Sequence, residues 1–193
     1  GRARLVSARQ VCMSATATHR PGLPGYAELW AQSNFSFQHG ASHPEELVVR
    51  ARALGYQALA ITDECSVAGV VRAHTQALQS GLQLLPGAVF ALQPIPVEVP
   101  GAATVHACGW RMVVLPRDLG GWGQLCQYIT AARGAARKGD YVATLPVPGS
   151  EALAGCEVVL VPPRLSAGSE VNQIDKLIAF NAFISSARSV FYS

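Results

Sequence analysis

Two kinds of apolar pattern alternate along this chain. Short unbroken runs, in Ala58-Leu-Ala-Ile61, Arg111-Met-Val-Val-Leu115 and Cys156-Glu-Val-Val-Leu-Val161, have the length and β-branched content of buried strands. Between them, apolar residues recur at spacings of three and four, the mark of one helical face. Leu47, Ala51 and Leu54 form such a face. Ser42-His-Pro-Glu45 ahead of it has the form of a capping box, in which hydroxyl and carboxylate satisfy each other's backbone amides, and Gly55 supplies the left-handed stop. A second helix, capped by Ser66 and ended by Gly81, has Val67, Val70, Val71, His74 and Leu78 as its apolar face. A third carries Trp122, Leu125, Ile129 and Ala132 and closes on the cationic turn Arg137-Lys138-Gly139. Gly120-Gly-Trp-Gly123 reads as a turn before that helix, too short and irregular for a phosphate-binding loop.

A short apolar segment at Ala27 to Trp30 precedes these elements. Gln83 to Leu85 leads into a strand that is interrupted at Pro86-Gly87 and resumes from Ala88 to Leu92. Pro94 to Gly101 holds too many prolines for a central strand and reads as an edge or loop. Strands and helices in this order predict an α/β fold built from parallel βαβ units, either a barrel or a doubly wound sheet.

At 193 residues, with 50% hydrophobic and 14% charged, the chain is long enough for one good core and short for two domains. No apolar run approaches the roughly 18 residues that cross a bilayer, so no membrane role is expected and a cytoplasmic location is. The five cysteines (Cys12, Cys65, Cys108, Cys126, Cys156) are scattered and odd in number, which predicts reduced thiols, mostly buried. A net charge of +3 neither demands nor excludes nucleic acid. Only Arg133, Arg137 and Lys138 lie close enough in sequence to share a basic face, and coding bias is the preferred account of the excess of arginine over lysine.

Composition divides the chain into three parts. Residues 1–25 contain no acid and carry Arg2, Arg4, Arg9 and Arg20, the profile of a flexible basic arm. A transit peptide shares that profile, but an arm read from upstream of Met13, or a cloning remnant, is preferred. Residues 26–164 hold the predicted elements. Residues 165–193 differ again, with Phe180, Phe183 and Phe191 crowded together. They read either as a terminal amphipathic helix through Ile174, Leu177 and Ile178 or, preferably, as sequence foreign to the domain.

The candidate chemistry lies at Asp63 and Glu64, two carboxylates at a predicted strand-to-helix turn. The preferred reading is that Asp63 caps the following helix and both acids complement its dipole, over a residual metal site. His74, on an apolar face, is expected in the core or an interface rather than at a ligand site. His39 and His43 are separated by Gly40 and the Ser42 cap and read as loop histidines. Cys65 has no evident base, and neighbouring carboxylates raise a thiol pKa, so it is no candidate nucleophile.

Tyr26-Ala-Glu-Leu, Ser33-Asn-Phe-Ser-Phe37, Gly40-Ala-Ser-His-Pro-Glu-Glu-Leu47, Ala60-Ile-Thr-Asp63 and Ala68-Gly-Val-Val-Arg-Ala-His74 closely resemble the N-terminal PHP domain of bacterial error-prone DNA polymerases of the C-family, alpha-subunit type. The resemblance is specific to about Leu85. It continues more loosely through Met112-Val-Val-Leu115, Trp122-Gly-Gln-Leu125, Ile129 and Lys138-Gly-Asp-Tyr141 to the region of Cys156 to Pro163.

The resemblance implies a partial, distorted β/α barrel whose strand ends hold metals in intact members, for phosphoester hydrolysis or proofreading. It also implies a parent enzyme that adds palm, fingers and DNA-binding domains, uses magnesium, and copies damaged DNA during repair and replication. Its implied partners are the rest of the polymerase chain, DNA, a sliding clamp and accessory mutagenesis proteins.

Against the pattern of active members, Trp30 and Gln32 stand in place of a His-x-His pair, Val89 or a neighbour without acid in place of a Glu, and Arg111 in place of a His. Glu64 replaces a His after the strand-end Asp, a change that can retain a ligand. Indole and guanidinium offer no lone pair, and a neutral amide is a poor zinc ligand. Asp63 and Glu64 are therefore expected as vestigial remnants of a degenerate metal site. No catalytic or cofactor-binding residue is assigned, and the chain is expected to have a structural and interaction role, without polymerase activity of its own. The alternative is a free-standing metal-dependent phosphoesterase of the same fold.

Overall fold

The computed structural model describes residues 25–97, 105–146 and 151–163. The sequence-predicted arm (but for Gly25), the tail and Cys12 lie outside them. The elements in chain order are β1 (Ala27–Ala31), α1 (Pro44–Ala53), β2 (Ala58–Glu64), α2 (Val70–Ser80), β3 (Gln83–Ala91), β4 (Ile95–Val97), β5 (Val105–Ala107), β6 (Arg111–Pro116), α3 (Leu119–Gly134) and β7 (Cys156–Val161). Five strands form one open sheet in the order β1-β2-β3-β6-β7, and β4 and β5 form a separate antiparallel hairpin.

The fold is α/β, as expected, but parallel βαβ units account for only half of it. β1, β2 and β3 are parallel, whereas β6 is antiparallel to β3 and β7 antiparallel to β6. The connection from β3 to β6 is the β4–β5 hairpin rather than a helix, so the chain turns back instead of crossing over. After α3 the chain passes Ala143, bridged to Leu92, and descends to Gly155, packed on Gly121. β7 thus starts where β6 ended, with Cys156 beside Pro116.

Pairing register places Leu59, Ile61, Leu84, Ala88, Phe90, Met112 and Val114 on one face of the sheet. All three helices cover that face. α1 and α2 enclose Leu59 and Ile61 with Val48, Ala51, Ala73 and Ala77, and α3 sets Leu125 and Ala132 against Phe90, Met112 and Val114. The opposite face carries Ala60, Thr62, Val89 and Val113, all buried, and at its rim Glu64 and Arg111.

Several local expectations shift. β2 runs through Asp63 and Glu64, so the carboxylates end the strand rather than begin a turn. β3 is continuous across Pro86-Gly87. Pro86 is tolerated because β6 pairs only from Ala88 onward, leaving one neighbouring strand there. Gly87 is required because a Cβ would lie 2.6 Å from Leu115 Cδ2 and 2.7 Å from the Val114 carbonyl.

α1 is capped one residue later than expected, at His43, whose amide donates to Glu46 Oε2 at 2.9 Å. Pro44 sets this boundary: it needs no N–H at the first helical position and holds His43 extended. Its buried face is Pro44, Val48 and Ala51, and Leu54 is exposed. Gly55 has the expected positive φ, 79°.

In the predicted face of α2, Val67 packs on the core from the turn ahead of the helix and Val70 is half-buried, but the rest points outward. Val71 and Leu78 are exposed, as is His74, and the helix packs through Ala73 and Ala77. Ser66 is not its cap; Gly69 is, and the Ser66 hydroxyl accepts the Ala68 amide in the preceding turn. α3 begins earlier than expected, taking in Gly120-Gly-Trp-Gly123, because Asp118 caps it by accepting the Gly121 amide at 2.8 Å. It also ends before Arg137 and Lys138. Cys65 and Cys156 are buried free thiols, whereas Cys108 is exposed.

Candidate functional site

The C-terminal ends of β1, β2 and β3 and the start of β6 meet at one rim of the sheet, since Arg111 opposes Ala91 and Glu64 lies beside Val89. Asp63 is buried beneath the loop that follows β1. One of its oxygens, Oδ1, accepts the Ser33 amide at 2.7 Å, the Ser36 hydroxyl at 2.7 Å and the Ser33 hydroxyl at 3.0 Å. Oδ2 lies 2.8 Å from the Ser33 hydroxyl. The Ser36 oxygen in turn accepts the Glu64 amide at 2.8 Å. The expected capping of α2 by Asp63 is therefore corrected: its acceptors are turned to the β1 loop, which donors from a helix start do not reach. Gly69 lets α2 come this close, because a Cβ there would stand 2.7 Å from Asp63 Oδ2.

Glu64 has a different set of neighbours. Oε1 accepts the Tyr141 hydroxyl at 2.7 Å, and that hydroxyl itself accepts the Ala91 amide at 2.7 Å. Burial and the hydrogen bond to Glu64 raise the Tyr141 pKa. Oε2 faces His39 Nδ1 in close contact and Arg111 Nη1 at 4.0 Å, although no hydrogen bond of good geometry reaches it among the described residues. Arg111 is the fixed positive charge near this oxygen, and charge attraction depends on distance more than on angle. The Arg111 guanidinium also lies over the Trp30 ring, 5.9 Å from its centroid.

The turn after β2 is held from outside. Cys65 has a left-handed backbone, φ 45°, unusual for a residue with a side chain. Its amide donates to the Val89 carbonyl at 2.9 Å, and its carbonyl accepts Arg133 Nε from α3 at 3.0 Å. Burial raises the Cys65 thiol pKa, which fits an inert core thiol. With Arg133 engaged here, the suggested basic face with Arg137 and Lys138 loses its first member.

A metal cluster requires several convergent lone pairs. Around this rim Trp30, Val89 and Arg111 supply none, the buried Gln32 Nε2 is a donor without a partner among the described residues, and Asp63 Oδ1 is occupied by the Ser33 amide and the Ser36 hydroxyl, with the Ser33 hydroxyl shared between Oδ1 and Oδ2. No group of three or more His, Cys, Asp or Glu side chains converges among the described residues. The residues present do not fit the metal cluster that the sequence resemblance implies.

Sequence reasoning placed Asp63 and Glu64 at this rim and singled out Trp30, Gln32, Val89 and Arg111 as departures. It missed Ser33, Ser36, His39 and Tyr141. His39 is thus more than a loop histidine, because the loop after a parallel strand passes over the end of its neighbour. Tyr141 comes from so far along the chain that no local spacing signals it.

The chain is 54% identical over 121 residues to the error-prone DNA polymerase of Ralstonia nicotianae, covering 62% of this chain and 10% of that protein. It is 48% identical over 149 residues to that of Bordetella parapertussis, covering 73% and 13%. The chain therefore spans about a tenth of the length of the curated relatives it matches. Among solved structures, an amidohydrolase from Chromobacterium violaceum is similar at 26% identity and a TM-score of 0.40, over 56% of this chain and 34% of that one, a likeness too partial to inform the chemistry. No helix among the described residues is long and apolar enough to cross a membrane. The PHP domain model matches residues 28–171, and the chain belongs to the PHP domain family.

Proposed function

We propose that this chain is the N-terminal PHP domain of an error-prone DNA polymerase and serves there as a structural and interaction module, with a degenerate metal site. The observation that carries the reading is the engagement of Asp63 by Ser33 and Ser36: this vestigial ligand candidate fastens a loop to the sheet. The similarity to polymerases many times longer supports the rest of the polymerase chain as the module's first partner. In the parent enzyme, template-directed synthesis across damaged DNA would use magnesium held by the palm, with DNA, a sliding clamp and accessory mutagenesis proteins as further partners in the cytoplasm.

Elemental analysis of the purified chain tests this, together with hydrolysis of a phosphodiester substrate with added zinc or manganese. The expected result is substoichiometric metal and no hydrolysis. Near-stoichiometric metal, with an activity lost in Asp63→Ala, would instead establish a metal-dependent phosphoesterase.

A further inference from the structure

We infer that Arg111 is a resident cation that takes over the electrostatic task of a metal at the sheet rim, clasping β1, β2 and β6 through Trp30 and Glu64. The inference rests on the metal-free reading above and adds what replaces the metal.

Glu64 ends β2 on the face opposite the helices, and only 16% of its side chain is exposed. A carboxylate in such a place needs opposite charge nearby, because burial penalises its ionised form. Tyr141 gives it one neutral hydrogen bond, at Oε1. The charge at Oε2 is met by Arg111 Nη1 at 4.0 Å, and His39 Nδ1 is in contact with the same oxygen. A guanidinium is charged at every physiological pH and has no lone pair to offer, so it can neutralise a carboxylate while never ligating a metal.

Trp30 completes the arrangement. Its ring lies under the guanidinium at 5.9 Å, a cation–π separation that favours one position for the charge. Trp30 belongs to β1, Glu64 to β2 and Arg111 to β6, so the cluster ties strands that are not all neighbours in the sheet. Two of the departures from a metal-binding sequence, Trp30 and Arg111, thus act together: one supplies the positive charge and the other its shelf.

The test compares thermal unfolding of the 193-residue chain with that of Arg111→Met, Arg111→Lys and Arg111→Met combined with Glu64→Gln, at low and high salt. Methionine keeps most of the volume and loses the charge; lysine keeps the charge. Expected are a midpoint lowered by about 2–6 °C in Arg111→Met, a smaller loss in Arg111→Lys, and recovery of most of the methionine loss when Glu64→Gln is added. High salt should narrow the gap between parent and Arg111→Met. If Arg111→Met melts with the parent, or Glu64→Gln adds its own loss instead of relieving the first, Arg111 is packing and not a counter-charge; the metal-free reading would survive that result. A midpoint of the parent that rises with added zinc chloride overturns both.

Discussion

Tyr141 donates its phenolic hydrogen to Glu64 Oε1 at 2.7 Å while accepting the Ala91 amide at the same distance, so one hydroxyl joins the ends of β2 and β3. Phenylalanine at this position removes the hydroxyl and leaves the Ala91 amide and a Glu64 oxygen unmatched. Tyr141→Phe should cost about 1–3 kcal/mol. Urea denaturation should show the midpoint falling with the slope unchanged; an unchanged midpoint would mean that water replaces the hydroxyl without loss.

Alkaline pH should weaken the fold in a defined window. Burial raises the Tyr128 pKa to about 12 and raises Tyr141 as well, against an ordinary value of 10.0. The folded chain therefore holds these protons where the unfolded chain has released them, so stability falls as pH rises. The contribution is fully present below about pH 10, the unfolded pKa, and is lost as pH climbs through the folded values. Buried Cys65 acts in the same sense from its own lower starting point. Unfolding free energies at pH 9 and pH 11 should differ less in Tyr128→Phe and Tyr141→Phe than in the parent, and equal slopes would contradict the assignment.

Asp63 should matter for stability rather than catalysis. Asp63→Asn keeps an acceptor for the Ser33 amide but removes the charge and puts a donor at the Oδ2 place facing the Ser33 hydroxyl, and should cost about 1–3 kcal/mol, in the range of hydrogen bonds to charged groups. Ser36→Ala removes both a donor to Asp63 and the acceptor of the Glu64 amide, and should cost about 1–2 kcal/mol. Because they share a partner, the double variant should lose less than the sum. Strict additivity in a denaturation cycle would show that the contacts are independent.

Two glycines of α3 should respond in opposite directions. A Cβ on Gly121 would lie 2.0 Å from the Gly155 carbonyl oxygen, whereas one on Gly123 meets nothing within 4 Å. Gly123→Ala should stabilise by about 0.5–1 kcal/mol through helix propensity. Gly121→Ala should destabilise by about 1–3 kcal/mol, because the backbone of the β7 approach must shift. Calorimetric midpoints moving the same way in both variants would refute the close approach.

How much of this was legible in the sequence depended on whether the deciding contact was local. The core of β2, β6 and β7, and the glycine stops at Gly55 and Gly81, follow from composition within a few residues. The face of α2 does not. Its period is plainly helical, but two stripes share that period, and the chain buries the small one, Ala73 and Ala77, because α2 packs close to Asp63 and Pro44. Counting bulky residues selects the wrong stripe where volume is scarce.

Strand direction was also hidden. Nothing in the run Arg111 to Leu115 says that a hairpin, and not a helix, precedes it in the sheet's path, so the switch to antiparallel pairing escaped the pattern. At the rim, Trp30, Val89 and Arg111 were recognisable as departures from metal-binding chemistry. The contacts present at the rim were not, since Ser33, Ser36, His39 and Tyr141 are ordinary residue types whose roles appear only once the chain has folded.

Asp63 and Glu64 are consecutive residues of one strand, and consecutive side chains on a strand leave it in opposite directions. The two carboxylates therefore sit in separate surroundings, Asp63 toward the helices and Glu64 away from them, and no one side chain among the described residues serves both. The serine clasp and the arginine with its aromatic shelf are accordingly separable, so a substitution that undoes one should leave the other standing.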